Sequence, residues 1–344
     1  MENLTVGFLY NVRHQYPDSN DPRTQLEADF DDPETIEWMI KHLKNCFTKV
    51  IPIEANENAY FGLAQNKKEI DIVFNYSEGI YGKDREAQLP AILEMLQIPY
   101  TGSSPLTQAI GLNKGKTKEI LIANGIPTPY FQVISHQNFS LDNKLSFPLI
   151  VKPLSQGSSA GITNKSVVQN EKLLAEQVKY ILETFSQPAL VETFLEGRDF
   201  SVPMLGNPPE TLPIIESNHS CLPKGYTPID SLEVKWHLEE QGNLSRMLIC
   251  PAKLDQNLKN KIEEICLKTW KALEILDLCR IDLRYDKNDN PYILEINSPP
   301  GLIPPEVSMS SYLPLSARAA GIDYEDLLKK IIYIALKRYQ ETTN

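Results

Sequence analysis

Near the C-terminus the chain carries a set of side chains that could hold a divalent cation. Asp282 lies in CRIDLRY, and Glu295 and Asn297 lie in NPYILEIN. Residues two apart on a strand point to one face, so Glu295 and Asn297 project together. The polar turn between the two runs signals a hairpin, which can bring Asp282 beside them. Hard oxygen ligands of this kind suit Mg²⁺, which usually completes its shell with phosphate oxygens and water. Flanking apolar residues would leave these charges partly buried, and an unpaired buried carboxylate is costly. A pair of surface carboxylates on a hairpin is the bland alternative.

Two further stretches could handle a nucleotide. In LIVKPLSQGSSAG, Lys152 ends an apolar strand and a glycine- and serine-rich loop follows at 155–161. Glycines let backbone approach a phosphate, and serine hydroxyls and N–H groups donate to its oxygens. The loop is neither a Walker loop nor GxGxxG, so neither of those nucleotide folds is supported. A flexible surface loop is the alternative. In LVETFLEGRDF, a free strand edge at Glu192 and Leu195 could read an adenine edge, with Asp199 accepting ribose hydroxyls; a strand followed by a capped turn is the alternative. His219 and Cys221 lack further ligands at metal spacing and read as a plain loop. The acidic run at 29–32 reads as a solvated helix cap. Arg13 and His14 follow the first strand, where ligands often bind in α/β folds. Arg318 reads as structural.

The elements that must position these residues follow from periodicity. LTVGFLY is a first strand, followed by a polar, proline-broken segment at 11–33. Asp32 and Pro33 open a helix with Ile36, Met39, Ile40 and Leu43 on one face. KVIPI and IDIVFNY read as buried strands, REAQLPAILEMLQ as a helix, and IPYTGSS as a short strand and turn. Alternating strands and helices mean a parallel α/β layer. Beyond it come a helix ended by Gly125, the strand FPLIVKP, a long helix over SVVQNEKLLAEQVKYILETF, the strand PALVETFL, and a helix leading into the acidic hairpin.

Composition narrows the function classes. The chain has 344 residues, enough for two or three packed units, and a net charge of −11. Such a charge disfavours nucleic acid and anionic membrane surfaces as partners. No apolar run spans a bilayer. Five scattered cysteines read as reduced, which fits the cytoplasm.

The order of these motifs resembles the ATP-grasp superfamily, and within it the D-alanine–D-alanine ligase family. IPYTGSS, LNKGKTKEIL, GIPTP, IVKPLSQGSSAG, LVETFL, LEVKW, CPAKL, RIDLRY and LEINSPPG come in that family's order across nearly the whole chain. The resemblance implies an α/β (α+β) ATP-grasp fold. Its parts would be an N-terminal α/β domain at 1–112, a central subdomain at 113–196 and a C-terminal catalytic subdomain at 197–344. It implies that Lys114 and Lys152 contact ATP phosphates and that Ser158 and Ser159 close over them. Glu192 and Leu195 would hold adenine in a pocket lined by Phe194 and Leu294, and Asp199 would hold the ribose. Lys235 would lie in a mobile covering loop. Asp282, Glu295 and Asn297 would bind two Mg²⁺ ions, with Mn²⁺ as a substitute. Arg280 and the N–H of Gly301 would stabilise the tetrahedral oxyanion.

The implied reaction has two steps, formation of an acyl phosphate from ATP and attack on it by an amine. The region that holds the two amino acids in that family departs from the pattern. NYSEGIYGKDREAQ replaces the His-Gly and Gly-Glu-Asp-Gly run, QLEADFDDPETIEW replaces the usual start of the first helix, Trp236 replaces a tyrosine, and SPPGLIPPEVS replaces a Ser-His-Ser turn. The same chemistry on other substrates is expected. The ligase that joins serine or threonine to mycosporine-glycine is one relative with that property, and a dipeptide ligase is the alternative. A silent nucleotide-binding module is the alternative of another class. Family resemblance also implies a homodimer.

Overall fold

The computed structural model describes residues 3–16, 27–234 and 247–342. Lys235, Trp236, Pro17 and Pro22 lie outside them. The N-terminal sheet has parallel strands β1 (Thr5–Tyr10), β2 (Lys49–Glu54) and β3 (Ile72–Tyr76) in the order β2-β1-β3. Helices α1 (Pro33–Cys46), α2 (Ala59–Asn66), α3 (Gln88–Leu96) and α4 (Pro105–Leu112) surround it. Helix α1 starts where Pro33 supplies the first helical φ, and it buries Ile36, Met39 and Leu43. The Asp32 side chain does not cap this helix. It accepts instead from Arg13 Nη1 at 2.7 Å, because that buried guanidinium needs a counter-charge. At IPYTGSS the expected strand is reduced to a single bridge between Val73 and Tyr100.

The middle of the chain contains α5 (Lys114–Ala123), whose Leu121 packs into the core of the third sheet, then β4 (Phe131–Ile134), β5 (Leu149–Pro153), β6 (Val167–Val168), α6 (Glu171–Phe185) and β7 (Ala189–Thr193). Its antiparallel sheet has the order β4-β7-β5-β6. Helix α6 begins later than the sequence pattern predicts. Val167 and Val168 pair with β5, as β-branched residues favour, and Asn170 then caps by accepting from the Leu173 N–H.

The third unit is built on an antiparallel sheet of β8 (Asp199–Gly206), β9 (Pro209–Thr211), β10 (Ile215–Ser217), β11 (Leu248–Ile249), β12 (Leu278–Tyr285) and β13 (Pro291–Asn297). Its order is β11-β10-β8-β12-β13, with β9 on β8. Helix α7 (Gln256–Ala272) packs Ile262, Ile265, Cys266 and Trp270 onto Phe200, Val202, Ile281 and Leu283. Helices α8 (Tyr312–Ala319) and α9 (Tyr324–Thr342) leave this unit and return to the N-terminal sheet. There Leu327, Leu328, Ile331 and Ile332 share one core with Val6, Phe8, Met39 and Phe74. Arg338 of α9 pairs with fully buried Asp277 at 2.8 Å and donates to the Tyr100 carbonyl, joining the first and last units. All five cysteines are free thiols, and no described helix is long and apolar enough to cross a membrane.

Candidate active site

The hairpin register sets the acidic side chains. Asp282 lies opposite Glu295 and Arg280 opposite Asn297, with a bulge just after Asp282. All of these except Arg280 are the oxygen donors expected from the sequence. Asp282 accepts from Ser201 Oγ at 2.6 Å, from Arg280 Nη2 at 2.8 Å and from Asn297 Nδ2 at 2.9 Å. Glu295 lies 3.4 Å from Lys114 Nζ. Among the described residues no group of three or more His, Cys, Asp or Glu side chains forms a closed cage. A partial set of two carboxylates and one amide fits Mg²⁺, an ion that takes its remaining ligands from phosphate and water.

Lysines converge beside the hairpin. Lys114 opens α5, whose N-cap Asn113 accepts from the Lys116 N–H, and its Nζ donates to the Gln156 carbonyl at 2.6 Å. Glu192, 1% exposed, lies 2.6 Å from Lys152 and 2.5 Å from Lys118. Burial pulls Lys118 down to about 8, with Glu192 opposing. Burial would raise Glu192, but Lys118 and Lys152 together hold it below the usual carboxylate value. The free strand edge expected at Glu192 is absent: β7 runs between β4 and β5, and the carboxylate of Glu192 faces lysines. Ser158 and Ser159 adopt left-handed φ values of 45° and 61°, and Ser159 Oγ donates to the Asp230 carbonyl at 2.6 Å.

Past the end of β7, the Phe194 ring lies 4.9 Å from the Arg284 guanidinium. Arg284 also lies 3.4 Å from Asp199, whose carboxyl is pushed up to about 6 by burial against the pull of Arg284. Leu195 and Leu294 are half-buried nearby in the sequence of these strands.

A cavity of about 840 Å³ opens from this centre. Lys114, Ser158, Arg280, Glu295, Asn297 and Gly301 line one side, and Asp29, Asp31, Glu78 and Glu86 line another. The run at 29–32 is therefore a cavity wall and not the solvated cap its sequence suggests. Arg13 makes the wall: it donates to the carbonyls of Glu27, Ala28 and Phe30 as well as to Asp32, so its guanidinium is committed within the stretch. Burial pushes Asp31 up to about 6 and also raises Glu78 and Glu86. The Arg280 guanidinium stacks on the Tyr312 ring at 4.7 Å, and Tyr312 OH donates to Asp230, which His219 Nε2 also meets at 2.8 Å. His219 thus joins a polar network, while Cys221 is exposed. Arg318 lines the cavity and donates to the Met309 carbonyl.

Lys118, Arg284 and Arg85 were not singled out by sequence reasoning. Lys118 is one turn after Lys114 on the same helix, and Arg284 shares the strand face of Arg280 and Asp282. Those two spacings could have found them. Nothing local marks Arg85, whose partners are distant in sequence.

Comparison with known proteins agrees with this geometry. The family model described as D-ala D-ala ligase C-terminus matches residues 120–333. An uncharacterized protein of Sinorhizobium fredii is 36% identical over 269 residues, 78% of this chain and 75% of that protein. A D-alanine--D-alanine ligase of Pelotomaculum thermopropionicum is 32% identical over 282 residues, 79% of this chain and 82% of its own. The crystal structure of D-alanine--D-alanine ligase from Bacillus anthracis complexed with ATP superposes with a TM-score of 0.73 at 26% identity, covering 99% of this chain and 100% of that one. The chain belongs to the D-alanine–D-alanine ligase family, ATP-grasp enzymes that form C–N bonds with release of ADP.

Proposed function

We propose that this ligase acts on an acid larger than alanine, and that it couples an amino acid such as serine or threonine to mycosporine-glycine through an amide or imine-type C–N bond. The observation that carries this reading is the cavity. Its volume of about 840 Å³ includes the side lined by Lys114, Ser158 and Glu295 that serves ATP, so the reading rests on the opposite wall and not on size. The cavity reaches from Gly301 and Arg280 to an acidic wall built by the 27–32 stretch, Glu78 and Glu86, the regions where the sequence departs from its family.

In this reading Lys114 and Lys152 contact the phosphates of ATP, and Ser158 and Ser159 donate to them from the loop. Glu192 holds Lys118 and Lys152 in place, while Leu195, Phe194 and Leu294 take the adenine and Asp199 the ribose. Asp282, Glu295 and Asn297 hold two Mg²⁺ ions, replaceable by Mn²⁺. When bound, these ions neutralise phosphate charge and polarise the transferring group. The substrate acid attacks the γ-phosphorus and ADP leaves. The amine then attacks the acyl carbon and phosphate leaves. Arg280 and the Gly301 N–H face the developing oxyanion. We also propose the division into units at 112/113 and 196/197, a homodimer through the N-terminal unit, and a cytoplasmic location that suits five free thiols.

The relatives that are D-alanine--D-alanine ligases favour a second reading, ligation of two D-alanines. The test is ATP consumption with Mg²⁺ across paired substrates, with products identified by mass. The panel holds D-alanine alone, mixed amino acids, and mycosporine-glycine with serine or threonine. Product only from a larger acid with an amino acid supports the proposal. Turnover of D-alanine alone overturns it in favour of the second reading. A bound nucleotide with no product from any pair points to a silent binding module.

A further inference from the structure

The loop at 155–161 is held by every unit of the chain. Within the central unit, the Ser155 N–H donates to Gln187 Oε1 at 2.6 Å and Lys114 Nζ donates to the Gln156 carbonyl at 2.6 Å. From the third unit, the Asp230 carbonyl accepts from Ser159 Oγ. The N-terminal unit supplies the remaining hold. Arg85 Nη1 donates to the Ser155 carbonyl at 3.1 Å and Nη2 to Asp29 Oδ2 at 2.6 Å. Asp29 in turn rests on the loop: a Cβ at Gly157 would lie 2.5 Å from Asp29 Oδ1. Both side chains of the ion pair are 8% exposed. Arg85 is itself fixed by Gly79, at φ +73°, whose absent Cβ would lie 2.0 Å from the Arg85 carbonyl oxygen.

A forked guanidinium that grips a loop carbonyl and a carboxylate together fixes direction as well as distance. Asp29 belongs to the stretch that carries Asp31 into the cavity, so the wall that faces the substrate and the loop that faces Lys114 are one mechanical piece.

We propose that Arg85 and Asp29 are positioning residues that let the 155–161 loop close only over a folded substrate wall. This rests on the ligase reading in one respect, that the closed loop shields an acyl phosphate from water. A loop released from Arg85 would admit water, and ATP would be used without a C–N bond being made.

The test compares the full chain with Arg85→Met and Asp29→Asn, the second of which keeps the side-chain shape. Hydrogen exchange of the 155–161 amides is measured with Mg²⁺ and ADP. Both variants are expected to exchange about tenfold faster or more than the parent. With a productive substrate pair, ADP is expected to exceed product by about twofold or more, while KM for ATP changes far less than the coupled rate. Arg85→Lys keeps the charge without the fork and is expected to restore only part of the coupling. Parental exchange and equal amounts of ADP and product in both variants overturn the proposal. If no pair yields product, the ligase reading fails while hydrogen exchange still decides whether the pair holds the loop.

Discussion

Glu192 sits between two lysines with almost no solvent, and this decides what its neighbours can tolerate. Removing Lys118 leaves a buried carboxylate with Lys152 as its remaining cation. Lys118→Met is expected to lower unfolding free energy by about 3 kcal/mol, read as a shift in the urea midpoint at constant slope. An unchanged midpoint would show that Lys118 is not charged in the fold. Arg280 differs, because it faces the cavity from a stack on Tyr312. Arg280→Met is expected to reduce kcat by roughly 10²–10³-fold and, because it also removes the cation paired with Asp282, to lower Tm; a change in KM alone would remove the oxyanion role. Much at this scale was legible beforehand. Asp282, Glu295 and Asn297 come together because strand alternation and one hairpin suffice, whereas Lys152 was marked by its strand and loop and Lys114, on a helix, only by the family resemblance. Arg85 was illegible because its partners lie 56 and 70 residues away.

The 27–32 stretch shows how an element can be misread when its partner is remote. Asp32 has the position and chemistry of a helix cap, yet Arg13 takes it, and the backbone then folds around the guanidinium and turns Asp31 into the cavity. Tyr76 also bonds Asp31 and accepts from the Leu302 N–H, tying the wall to the strand exit at Gly301. Burial lifts the Asp31 carboxyl from the 3.8 of a free side chain to about 6. Above that value it is charged both folded and unfolded, and the folded state bears the desolvation cost. Below it the folded protein takes up a proton that the unfolded chain does not, so stability rises as pH falls from about 7 toward 4. Asp31→Asn is expected to flatten that rise in Tm over this window, measured without ligand. A parental slope in the variant would mean that Asp31 does not titrate there. The two valines of β6 teach the same lesson on a smaller scale, since helical periodicity ran through them until pairing with β5 claimed them.

At the scale of the molecule, a linear division into consecutive units hides the return of α9. His42 of α1 meets Glu325 of α9 across 283 residues, and the two helices share the core of the parallel sheet. Periodicity identifies such a helix but is silent about which distant sheet receives its apolar face. Arg338→Met removes the cation paired with fully buried Asp277, leaving it the Gly102 N–H and the Asn207 amide, and is expected to cost about 3 kcal/mol, seen as a lower Tm for the whole chain. A fragment of residues 1–112 is expected to lack the near-ultraviolet signature of packed aromatic side chains; a cooperative melt of that fragment would refute the shared core. The order of synthesis gives this architecture a further meaning. The strands β1 and β3 are translated well before α9, so the face of Val6, Phe8 and Phe74 that Leu327, Leu328 and Ile331 cover in the folded protein must wait during synthesis for a helix made more than 200 residues later.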